Sequence, residues 1–262
     1  MNTQFGYPVF DETGKKVLTT TDGRYKDMLM NITVYKMSAC ESKEFYLENE
    51  EQAILLVTGE VTYKWDNETR TAKRNDMFKE GPYCLHVCKG TKVTVTASAD
   101  TEILVEATEN DREFSAVFYT PEDCSEVLVG ENFCDGTARR IVRTAFDYNN
   151  APYSNMVLGE SITFQGGWSS YIPHHHPQPE VYYYRFDKPQ GFGACFLGDD
   201  VFKIKDGSFS AITPGKTHPQ VTAPGYNMYI AWMIRHLEGN PWTDRIDDPD
   251  HLWMVETPIV YR

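Results

Sequence analysis

Residues 173–186 read PHHHPQPEVYYYRF, placing three consecutive histidines, a glutamate and three consecutive tyrosines within fourteen positions. The second half of this stretch, EVYYYRF, is β-branched and aromatic and reads as a strand. Side chains on a strand alternate between its faces, so His174 and His176 share one face, and Glu180 keeps the same parity if the strand continues. His218 follows 38 residues after Glu180, behind a Pro–Gly turn at 214–215. Imidazole nitrogens with one carboxylate suit a divalent ion, with Zn, Mn, Fe and Ni all compatible. The metal candidates are therefore His174, His176, Glu180 and His218, with His175 pointing elsewhere. The competing reading is a solvated loop, which Pro173, Pro177 and Pro179 favour. Against it, five of the seven histidines fall in this stretch, at His218 or at His86, and the run is internal, which excludes a terminal tag.

Outward from this stretch the pattern is the same. Short β-branched and aromatic runs, such as 52–65, 92–98, 101–108, 209–215 and 226–234, alternate with Gly and Pro turns. KVTVTAS (92–98) alternates strictly, as a half-buried strand does. Helical periodicity is scarce. The expected fold is all-β, built from antiparallel barrel or jelly-roll domains. One internal echo supports two such domains. NDMFKEGPYCLH (75–86) places Pro82 four residues before His86, and KDGSFSAITPGKTH (205–218) places Pro214 four residues before His218. The charged region 109–150 reads as the connection between them. The expected division is 1–135, without metal and including the connection, and 136–262, with the metal.

Composition narrows the partners. A formal net charge of −13 on 262 residues disfavours nucleic acid. No apolar run approaches the ~20 residues of a membrane helix. The N-terminus lacks the basic start and apolar core of a signal peptide, so a cytoplasmic location is expected. The six cysteines form no CxxC pair and read as free buried thiols. No GxGxxG or GxxxxGK[ST] loop occurs, so no nucleotide cofactor is expected.

The spacing H-x-H-x3-E with a later histidine resembles the two metal motifs of the cupin superfamily. More specifically, GGWSSYIPHHH (166–176), EVYYYRFDKPQGF (180–192), HPQVTAPGY (218–226) and DDPDHLW (247–253) resemble the 5-deoxy-glucuronate isomerase family of inositol catabolism. That family is related to the 4-deoxy-5-threo-hexosulose-uronate ketol-isomerases of pectin breakdown. The resemblance covers about the last hundred residues and implies a two-cupin chain with one divalent metal in the second barrel. It leaves His86 as a core histidine. Two departures lie at the expected pocket rim: only Pro177–Pro179 separate the histidine run from Glu180, and Gly215, Lys216 and Thr217 replace an Arg–Gly–Tyr turn.

The implied chemistry is conversion of 5-deoxy-D-glucuronate to 5-dehydro-2-deoxy-D-gluconate, an aldose–ketose isomerisation of a small acidic sugar. If Glu180 points inward, Tyr182 and Tyr184 share its face, whereas Tyr183 and Arg185 face away. Tyr182, Tyr184 and Lys216 are thus candidates for substrate contact, with wall packing and a surface lysine as the ordinary alternatives. A uronate carboxylate needs a cation, and Arg139, Arg140, Arg143, Arg185, Lys188 and Lys216 are all available. The general base and the oligomeric state, a homo-oligomer included, are not set by the sequence. A sugar-acid-binding cupin without catalysis and a metal-dependent dioxygenase are the alternatives from other classes.

Overall fold

The structure, a computed structural model, describes residues 4–256. It is almost entirely antiparallel β-structure, with one short α-helix, Trp253–Glu256. No helix among the described residues is long and apolar enough to cross a membrane.

The first half forms a nine-stranded curled sheet. Its spine is the 16-residue strand Glu50–Trp65. The N-terminal part of this strand pairs with Tyr83–Val87 and Thr101–Glu109, and its C-terminal part with Glu68–Arg74 and Val93–Ala97. The change of partners occurs at a register shift between Leu56 and Thr58, next to Gly59. Gly59 has φ +113°, and a Cβ there would lie 2.3 Å from Thr101 Oγ1. Only glycine turns this corner, which curls one strand into two faces of the sheet.

The second half pairs seven strands, from Phe5–Gly6 at one edge to Ser125–Val129 at the other. At its centre Glu180–Phe186 lies between Phe209–Ile212 and Met228–Arg235. A four-stranded sheet, including Phe192–Leu197 and Gln220–Thr222, packs across it. Strand period then sorts the core. Tyr182, Tyr184 and Phe186 fill the interior of the second half with Cys195, Leu197 and Ile230. Val181 and Tyr183 point the other way, into a core shared with Ile32, Leu55 and Leu104 of the first half. Ile54 and Leu56 face the interior of the first half with Val61, Tyr63 and Val95. Each such side chain contributes about 1.5–3 kcal/mol by leaving water. A buried ion pair also joins the halves: Arg74 donates to both oxygens of Glu160, at 2.6 and 2.7 Å.

Several expectations change. The region 109–150 is not a mere connection, because it holds three strands. Val117–Tyr119 joins the first sheet, and Ser125–Val129 with Arg140–Phe146 forms a hairpin of the second. The 135/136 division thus falls inside that hairpin, and Phe5–Gly6 pairs with Phe209–Ile212 across the chain. The His86/His218 echo is out of step. His86 sits within the strand Tyr83–Val87, whereas His218 lies beyond the strand Phe209–Ile212, before Gln220–Thr222. His86 is fully buried, contacts Glu51 at 2.8 Å and stacks on Phe146 at 4.4 Å. All six cysteines are free; Cys84, Cys88 and Cys195 are buried, but Cys40 is exposed.

Candidate metal centre

The histidine run does not continue into the glutamate strand. His174–His175 makes a two-residue ladder with Ile246–Asp247, the chain breaks at Pro177–Pro179, and Glu180 opens the next strand. The prolines cannot donate to a ladder, so the segment bends here. The bend carries His176 onto Glu180. The ligand atoms of His176, Glu180 and His218 lie within 4.8 Å of one another, and all three residues are buried. His174 lies outside that trio, but its ring is 4.7 Å from that of His218. His175 is not on the cavity wall.

Each of the three buried histidines has one nitrogen fixed by backbone. Nδ1 of His174 contacts Ile172 O at 2.8 Å, that of His176 contacts Gln178 O at 2.8 Å, and that of His218 contacts Lys216 O at 2.9 Å. A carbonyl oxygen only accepts, so each Nδ1 carries a proton, and whichever of these rings is neutral presents its Nε2 lone pair. Backbone orientation of this kind is what metal-binding histidines use. Both His176 Nε2 and His218 Nε2 sit 3.2 Å from Glu180 Oε2. A lone pair facing a carboxylate oxygen at that range requires a proton or a cation between them. His218 Nε2 is moreover a buried atom without a hydrogen-bond partner. The donor set therefore fits a divalent cation.

The electrostatics agree. Burial, and then the neighbouring His174 and His176, push His218 down to about 4 against the pull of Glu180. Burial pushes His174 down to about 3, with Arg245, His176 and Arg140 adding to it. Burial also opposes charge on His176, but the hydrogen bond and charge of Glu180 outweigh it and raise that group. Two of the three rings are thus held neutral and able to ligate.

A cavity of about 190 Å³ opens beside this cluster, lined by His174, His176, Glu180 and Tyr182. Its lining includes the apolar residues Trp232, Trp242, Ile230 and Ile234 and the polar residues Arg140, Thr243, Asp244 and Arg245. Tyr182 exchanges a hydrogen bond with Ser170 at 2.9 Å. Tyr184 shares its face, as the strand period requires, but lies deeper. Its hydroxyl meets Ser210 and donates to Gln220, and the residue is not on the cavity wall. The Lys216 side chain runs towards the Gly198 turn, also off the wall, and it is the Lys216 carbonyl that serves the site by holding His218.

A family model described as "KduI/IolB family" matches residues 7–254. The chain belongs to the KduI/IolB family. This membership places it among isomerases, in agreement with the sequence resemblance. It is similar to the 5-deoxy-glucuronate isomerase of Geobacillus kaustophilus (strain HTA426), 24% identical over 248 residues that cover 87% of each chain. Among solved structures, an iolb-like protein from Salmonella typhimurium LT2 superposes with a TM-score of 0.86 at 20% identity, covering 96% of this chain and 99% of that one. A cupin 2 conserved barrel domain protein from Leptotrichia buccalis superposes with a TM-score of 0.50 at 11% identity, covering 84% of this chain and 88% of that one. The fold is thus the antiparallel cupin type.

The sequence named Arg140 only as one of six possible cations, and it missed Arg245 and the two tryptophans of the cavity. DDPDHLW had marked the adjoining segment, but nothing in the order of residues showed that 242–247 folds back onto His174.

Proposed function

We propose that this KduI/IolB-family chain is a metal-dependent aldose–ketose isomerase. Its substrate is a deoxy-uronate, 5-deoxy-D-glucuronate, which it converts to 5-dehydro-2-deoxy-D-gluconate in the cytoplasm as a step of myo-inositol catabolism. The supporting observation is the convergence of His176, Glu180 and His218, with their histidines fixed as lone-pair donors, beside a small cavity. His174 joins them as fourth ligand. Its Nε2 has no protein partner among the described residues, and its ring already touches His218. We also read the chain as two cupin-like barrels, with only the second holding metal, and with 5–6 and 125–129 contributing to the second.

A divalent ion held there supplies Lewis-acid stabilisation of the negative charge that develops on substrate oxygen, worth several kcal/mol. The chain's own groups do the rest. Burial, with the Glu180 charge second, raises the Tyr182 phenol well above its ordinary value. Tyr182 therefore stays protonated and donates to a sugar oxygen rather than abstracting a proton. Trp232 and Trp242 shed water from the reacting carbons, which strengthens each polar contact inside. Gln178 donates to Asn240 O at 2.8 Å and so ties the histidine segment to the loop that carries Trp242.

The test is a ketol-isomerase assay on 5-deoxy-D-glucuronate within a panel of uronates. Conversion should vanish with chelator and return with added divalent metal. Metal-loaded protein that converts no member of the panel would refute the proposal, and oxygen uptake in its place would indicate a dioxygenase.

A further inference from the structure

Five of the six cations open to the sequence reading lie off the cavity wall. Arg143 pairs with Glu126, Arg185 pairs with Glu102 and Asp206, and Arg139 lies over the Phe164 ring. Lys188 and Lys216 are likewise absent from that wall.

Arg140 is different. It is only 5% exposed, yet no carboxylate pairs with it among the described residues. Its Nη1 donates to Ala138 O at 2.8 Å and its Nη2 to Tyr171 O at 3.2 Å. Carbonyl oxygens satisfy hydrogen-bond donors but do not cancel a charge, and a buried uncompensated charge is costly. Elsewhere in this protein buried guanidinium groups meet carboxylates: Arg74 is held by Glu160, and Arg143 by Glu126. Arg140 is also on the cavity wall with Arg245, within electrostatic reach of Arg245, Tyr182 and His174. Burial, and then Arg245, push its guanidinium down to about 10, the mark of a cation lacking its counter-charge.

We propose that Arg140 is the specificity-determining residue that receives the substrate's carboxylate, with Arg245 beside it at the more exposed side of the cavity. The inference rests on the reading of this cavity as the substrate site and deepens it by naming what makes the substrate an acid. A planar guanidinium matches a carboxylate through two parallel N–H···O bonds, which a lysine's point charge does not reproduce. Arg245 already spends part of its charge on Asp247, at 2.8 Å, so Arg140 carries the larger share. At about 190 Å³ the cavity is small, below the roughly 300–1,000 Å³ of sites for larger ligands. One sugar acid bound end-on, carboxylate at Arg140 and carbonyl end at the histidine cluster, suits that size.

The test is calorimetric binding of D-glucuronate, its neutral isostere D-glucuronamide, and D-glucose 6-phosphate to the Mn²⁺-loaded protein. The native protein should prefer glucuronate to the amide by about 10- to 100-fold, as charged hydrogen bonds imply, and should bind the phosphate more weakly than the acid. Arg140→Met should bring acid and amide to equal affinity while metal content stays unchanged. Arg140→Lys should keep only part of the preference, and this variant carries the test if the methionine variant does not fold. Equal binding of acid and amide by native protein, or full preference in either variant, would overturn the assignment. Tighter binding of the phosphate would overturn the carboxylate in favour of a phosphosugar. Acid preference without turnover of 5-deoxy-D-glucuronate would refute the isomerase reading alone, and turnover without acid preference would refute this inference alone.

Discussion

Replacing Glu160 with alanine should destabilise the whole chain, although residue 160 lies outside the metal cluster. The Arg74 and Glu160 side chains are 0% and 1% exposed, and both guanidinium Nη atoms donate to the carboxylate. Tyr229 donates its hydroxyl to the same group at 2.7 Å, and Arg143 Nη1 stands 3.8 Å away. Glu160→Ala leaves Arg74 as a charge enclosed by the carbonyls of Leu56, Met77 and Glu80. Breaking a buried pair from one side costs about 3–5 kcal/mol. At about 2 °C per kcal/mol for a chain of this size, Tm should fall by about 6–10 °C. The double variant Arg74→Met/Glu160→Leu removes both charges and should recover most of that loss. Thermal melts followed by circular dichroism measure all three proteins. A shift under about 2 °C for Glu160→Ala, or a double variant worse than the single, would refute the idea that this pair locks the halves together.

Three further outcomes follow from the same geometry. A Cβ on Gly159 would lie 2.1 Å from the Trp232 indole, so Gly159→Ala should cost about 1–3 kcal/mol and lower kcat by displacing a cavity wall, read by melts and assay together. Glu106 is fully buried with both oxygens unpartnered, and burial, with Glu51 second, raises its carboxyl well above the ordinary value. An acid raised on folding opposes stability once pH exceeds its unfolded value, so the Tm advantage of Glu106→Gln over native should grow from about pH 4.5 upward; a constant difference across pH would contradict it. His86→Ala should lower Tm, since it strips a stacked and hydrogen-bonded core ring, yet leave metal content unchanged, as elemental analysis would show.

The sequence was informative wherever strand period governs. Parity alone put Glu180, Tyr182 and Tyr184 on one face and Tyr183 and Arg185 on the other, and the structure keeps that order. Period fails where the chain bends. It gave no sign that Gly59 splits one strand between two sets of partners, or that Pro177–Pro179 ends a ladder and swings His176 onto Glu180. It was also silent on depth: Tyr184 has the right face but reaches Gln220 and Ser210 instead of the cavity. Among Arg139, Arg140 and Arg143 the sequence could not choose, because their difference lies in distant carboxylates at positions 126 and 160. A free guanidinium is defined by partners it lacks, which local order does not record. Ser125–Val129 was hidden for a similar reason, since most of that edge strand is exposed and its partner lies across a loop.

Elemental analysis of the purified native protein beside Glu180→Gln and His218→Ala decides whether the histidine–glutamate cluster holds a divalent ion. One divalent ion per native chain is expected, and its loss from both variants, with circular dichroism confirming that they remain folded. Native protein that takes up no ion from a panel of Zn, Mn, Fe and Ni at neutral pH, or folded variants that keep full stoichiometry, would contradict it.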